Sequence, residues 1–93
     1  MIVGVLTIDL AVYGSQSLKD KRRVIKSLKD RLMARFNASV AEVGALDSRK
    51  RAVLGVAVVG NDNAFVDRCL DTIVEFIDRH HEASLIDYRR EKY

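Results

Sequence analysis

The sequence predicts one α+β domain, and three observations carry that expectation. Two stretches have helical apolar spacing, β-type runs flank each of them, and no linker, repeat or low-complexity segment divides the chain. Its 93 residues lie near the lower end of chains that bury a core unaided. With 48% hydrophobic and 31% charged residues the composition is globular rather than disordered.

Residues 2–12 place Ile2, Leu6, Ile8, Leu10 and Val12 on one parity and Val3, Val5, Thr7, Asp9 and Ala11 on the other, as in a central strand apolar on both faces. Gly14 to Ser17 breaks this pattern, and Ser17 followed three residues later by Asp20 is a capping-box variant that should open a helix. Leu18, Val24, Ile25, Leu28, Leu32 and Phe36 then fill one arc of that helix, with Asn37 as its stop. Ser39–Leu46 and Arg51–Val59 are β-rich runs joined by Asp47–Lys50, a polar connection of hairpin length. Gly60 to Asn63 supplies caps for a second helix, whose Val66, Leu70, Ile73 and Ile77 recur at helical spacing to about Arg79. Ser84–Arg90 reads as a short last strand, and Arg89–Tyr93 as a frayed basic tail.

The order βαββαβ over residues 1–93 predicts a ferredoxin-like sandwich: a four-stranded antiparallel sheet with two helices on one face. Right-handed crossovers leave the other face open. An open face that is apolar needs a cover, most simply a second copy of the chain paired sheet to sheet.

The lone Cys69 cannot form an intramolecular disulfide, so a reducing cytoplasm is expected. Met1–Val12 lacks the basic flank and cleavage site of a signal peptide, and Asp9 interrupts it. No apolar run is long enough to span a bilayer, so no membrane association is expected.

Charge is the most uneven property of the chain. Residues 18–36 hold eight Lys/Arg against Asp20 and Asp30, whereas 63–79 hold two Arg against four acids. Lys19, Arg22, Arg23 and Lys26 share a stripe opposite the apolar arc; with Lys21 they form the candidate nucleic-acid or anion-binding set. The Gly14–Ser17 turn and the helix N-terminus could add backbone donors. The competing reading is a solvated surface that pairs with the acidic second helix. Base stacking on the sheet is disfavoured, because the third strand, Arg51–Val59, has no aromatic residue.

Nothing points to catalysis, a cofactor or a metal. His80 and His81 are adjacent and cannot chelate as an i,i+4 pair, so a helix C-terminal role is expected; Cys69 reads as a buried thiol. Asp9 and Glu42 read as half-exposed acids on the open face, without the partner that acid–base chemistry requires. Acylphosphatases share the element order, but their phosphate loop is glycine-rich and ends in arginine, unlike Tyr13–Ser17 here.

Ser17–Val24, Arg35–Val43 and Leu54–Asp62 strongly resemble the YlxP-like family, domain of unknown function 503, and the similarity covers essentially the whole chain. The resemblance implies a small bacterial ferredoxin-like protein with no established reaction. Genes of that family tend to lie among those for translation initiation and ribosome maturation, which implies an RNA or ribosomal partner. The matching basic positions are Lys19, Lys21, Arg22 and Arg23, and the matching acid is Glu42. Relatives often carry a tryptophan in the hairpin where this chain has Arg49-Lys50-Arg51. The expectation is a non-enzymatic, homodimeric RNA- or ribosome-associated protein; the alternative is a protein–protein interaction module with no nucleic-acid role.

Overall fold

The computed structural model describes residues 1–93, in the order β1 (Ile2–Val12), α1 (Leu18–Arg35), β2 (Ser39–Gly44), β3 (Arg51–Gly60), α2 (Asn63–Asp78) and β4 (Ala83–Lys92). The sheet runs β2-β3-β1-β4 with every neighbouring pair antiparallel, which is the ferredoxin-like α+β arrangement. β1 is central because its alternating faces are both apolar enough to accept a strand on either side: it pairs Leu6 with Val56 of β3 and with Arg90 of β4.

One parity of each strand faces the helices. Leu6, Ile8, Leu10 and Val12 of β1 and Ala52, Leu54, Val56 and Val58 of β3 meet Val24, Ile25, Leu28 and Leu32 of α1 and Val66, Leu70, Ile73 and Ile77 of α2 in one core. α2 comes close to the sheet where β1 and β3 carry glycine. A Cβ on Gly4 would lie 2.6 Å from Val66 Cγ1, and one on Gly60 would lie 2.8 Å from Val66 Cγ2. The opposite parity, with Val3, Val5, Val53 and Ala57, is covered by no element and is only half-buried by its own neighbours.

Two boundaries depart from the sequence reading. β2 ends at Gly44, because a register shift between Glu42 and Gly44 turns the strand away and Ala45 takes a left-handed φ of 55°. The C-terminal segment is not frayed. β4 pairs with β1 as far as Lys92, and the backbones of Tyr93 and Val3 exchange hydrogen bonds of 2.8 and 2.9 Å. Its side chains explain why a polar strand holds: Arg90 and Lys92 point to the helix layer and bind Asp67 and Asp71 of α2. Lys92 reaches Asp67 at 3.1 Å.

Candidate functional site

α1 begins at a capped turn. Ser17 Oγ accepts from the Asp20 backbone N–H at 3.1 Å, and the Asp20 carboxylate accepts from the backbone N–H of Gln16 rather than of Ser17. Gly14 supplies the turn's positive φ of 71°, and the Ser15 hydroxyl donates inward to Ser17 O. From this start the helix turns its Val24/Ile25/Leu28/Leu32 arc to the core, so Lys19, Arg22, Arg23 and Lys26 stand in solvent on the opposite side.

The four exposed cations are partly answered within the helix. Lys26 pairs with Asp30 at 2.7 Å, and Arg23 approaches Asp20 at 3.9 Å. Such exposed pairs contribute at most about 1 kcal/mol and leave the local potential positive. Lys19 and Arg22 have no carboxylate within reach. No carboxylate of the acidic second helix pairs with the stripe, and two of its four acids, Asp67 and Asp71, are engaged instead by Arg90 and Lys92 of β4.

Lys21 is the exception and corrects the sequence reading. It is fully buried, and its ammonium donates to Glu42 Oε2 at 2.7 Å and to Ala45 O at 3.0 Å, with Leu46 O and Arg51 O at 3.4 Å. A lysine offers three protons, so the two long contacts share one donor position. This side chain cannot meet a ligand; it ties α1 to the β2–β3 hairpin. Glu42 is corrected with it. The carboxylate lies on the parity of Val40, on the helix side of the sheet, and is not an open-face acid. The heptad-like series Leu18, Lys21, Ile25, Leu28 and Leu32 was the available signal, since it places Lys21 inside the apolar arc.

The hairpin supplies a residue that the candidate set omitted. Arg49 donates from Nη1 to Gln16 O at 3.3 Å and so sets its guanidinium beside the turn that opens α1. The basic run Arg49-Lys50-Arg51 was visible in the sequence, but its contact with the α1 entrance follows from the hairpin's fold. Asp9, by contrast, is where the strand parity put it: half-buried on the open face, opposite Val53 and Asp87, with no cation partner in the chain. Cys69 is half-buried on the flank of α2.

His80 stands at the C-terminal end of α2, as expected, but is buried there. It lies just past the α2 cap at Arg79, is only 8% exposed, and its Nε2 has no hydrogen-bond partner. Burial pushes its pKa below the ordinary imidazole value, the neighbouring His81 and Arg31 push the same way, and Glu82 pulls weakly upward. No group of three His, Cys, Asp or Glu side chains converges as a metal set would, and no helix is long and apolar enough to cross a membrane.

Comparison with known proteins agrees with this architecture. The chain is 31% identical over 81 residues to the uncharacterised protein YlxP of Bacillus subtilis (strain 168), covering 87% of this chain and 88% of that protein. Among solved structures it superposes on the de novo designed protein Foldit4 with a TM-score of 0.53, over 98% of this chain and 96% of that one, at 15% identity. That likeness concerns the fold alone. Residues 3–90 match the family described as protein of unknown function (DUF503). With a match of that extent and a relative aligned over most of both chains, the protein belongs to the DUF503 family.

Proposed function

We propose that this protein is a non-enzymatic, cytoplasmic RNA- or ribosome-associated binding protein whose contact surface is the solvent face of α1. The observation that carries the reading is the net positive charge of that face, which Asp20 and Asp30 answer only in part. Lys19, Arg22, Arg23 and Lys26 project together, Arg49 stands at the helix entrance, and no acid of α2 pairs with any of them, Asp67 and Asp71 being committed to β4. A rigid helix with cations at positions i, i+3, i+4 and i+7 suits a phosphate backbone, which rewards repeated charge and reads no sequence.

We further infer a homodimer through the open sheet face. Val3, Val5, Val53 and Ala57 are small or β-branched and share the face that no helix covers, so a second copy could cover them by two-fold pairing. Sheet-to-sheet pairing would leave both α1 stripes on the outside of the assembly, and the two readings are compatible.

The RNA reading is tested by replacing Lys19, Arg22, Arg23 and Lys26 together with Glu and measuring RNA affinity at several salt concentrations. The expected result is loss of binding, against a wild-type log–log salt slope of roughly 0.7–0.9 per phosphate contacted. Unchanged affinity and slope in the folded variant would overturn it in favour of a protein-interaction module without nucleic acid.

A further inference from the structure

The C-terminal halves of the two helices enclose a cleft of about 290 Å³ whose walls differ in chemistry from the rest of the helix layer. Arg31 and Arg35 reach it from α1, and Arg79, His80 and His81 from the end of α2 and the turn beyond; Glu75 is the one carboxylate on its walls.

The basic groups among them lack internal answers. Of these, only His81 lies within 4 Å of a carboxylate, Glu82 at 3.8 Å, and none of the three arginines takes part in an ion pair. The negative ends of two helices offer a structural explanation for arginines here. Yet Arg49 and Arg90 are the arginines whose side chains donate hydrogen bonds in this protein, so the cleft guanidiniums do not bind the terminal carbonyls. Arg35 instead lies over the Phe76 ring, 5.4 Å from its centroid, which holds it at the rim. The second, independent sign is His80, a wall residue more than nine-tenths buried whose Nε2 has no partner. Buried polar atoms are seldom left unpaired in folded proteins. The ring also faces a positive surrounding: His81 and Arg31 disfavour its protonation, and Glu82 alone opposes them.

We propose that this cleft binds a phosphate dianion, either free or at the end of a nucleotide. Three planar guanidiniums and an imidazole suit an acceptor with several oxygens and two charges better than a carboxylate. The volume is at the lower limit of small-molecule sites, enough for a mononucleotide and too small for a folded partner. Glu75 opposes a bare anion and can accept from a ribose hydroxyl. The site shares no residue with the α1 stripe, whose nearest member, Lys26, is about 7.5 Å from Arg31 along the helix at ~1.5 Å per residue.

The test is a nuclear magnetic resonance titration of the isotopically labelled full chain with inorganic phosphate, adenosine monophosphate and adenosine at constant ionic strength. The expected result is saturable movement of the Arg31, Arg79 and His80 signals with one or both phosphates and none with adenosine. Saturation should also raise the midpoint of the His80 ring titration, because a bound dianion stabilises the imidazolium. Arg31→Gln combined with Arg79→Gln, both at exposed positions, should weaken binding about tenfold or more. The variant combining Lys19→Glu with Arg22→Glu, the stripe positions at least about 13 Å from Arg31 along the helix and beyond a Debye length, should bind phosphate as before, which separates this site from the RNA reading. Equal binding of phosphate and adenosine monophosphate supports the free anion, and tighter binding of the latter supports the nucleotide. No saturable movement with either, or movement that leaves the His80 titration in place, overturns the proposal.

Discussion

Lys21 and its near neighbours show how one helical repeat assigns opposite duties to the same residue type. Arg22 and Lys26 are separated from the core by the helix itself, whereas Lys21 enters the apolar arc and meets Glu42 and three carbonyls. A buried ion pair is weak evidence for net stabilisation, since desolvation of both charges offsets their attraction, but removal of one partner strands the other. Lys21→Met should therefore destabilise the fold by about 3–5 kcal/mol. Adding Glu42→Leu should recover part of that loss, because the stranded carboxylate is gone while the hairpin carbonyls remain unpaired. Chemical denaturation of the single and double variants checks both statements; a single variant as stable as the parent would show that the bond network does not lock the hairpin. The same geometry explains why this lysine was misassigned from sequence. A run of cations reads as surface until the carboxylate that accompanies one of them, Glu42, is brought across by the sheet.

The placement of α2 depends on missing side chains as much as on present ones. Gly4 in β1 and Gly60 in β3 leave the space into which Val66 and Leu70 descend. Gly4→Val would put a branched side chain where a single Cβ already falls 2.8 Å from Leu70 Cδ1, and either the helix or the strand must shift. The expected cost is about 1–3 kcal/mol, the range for overfilling a packed core. Val3→Ala, on the uncovered parity of the same strand, should lower monomer stability by much less. Thermal unfolding of the two variants measures the contrast, and equal losses would mean that α2 does not rest on this contact. α2 is held from its other flank by Asp67 and Asp71 to Arg90 and Lys92, contacts that also extend β4 beyond the length its composition suggests.

For the whole molecule the decisive asymmetry is a sheet with helices on one face and nothing on the other. The uncovered layer mixes apolar residues with Asp9, Asp87 and Arg89, so a two-fold partner could set the arginine of one copy against the acids of the other. Sedimentation at tens of micromolar should give a dimer, and Ala57→Glu, which places a charge in the middle of that layer opposite Val5, should give a folded monomer. A monomeric parent protein would refute pairing through the sheet. The result also bears on ligand geometry, because pairing of this kind turns two basic helices outward.

Element order, the antiparallel sheet, the core arcs of both helices and the basic stripe were legible in the sequence, because each is a local periodicity: two residues for strands, about 3.6 for helices. Residues such as Ile25, Leu28, Leu70 and Ile73 declare their faces without reference to anything distant. Contacts between elements carry no such signature. Only the tertiary structure paired Lys21 with Glu42, committed Asp67 and Asp71 of α2 to β4 rather than to α1, held Arg89–Lys92 in the sheet, and gathered Arg31, Arg35, Arg79 and His80 around one cleft. Each of these joins residues far apart in the chain, and their energies come from burial and opposite charge that exist only once the elements have packed.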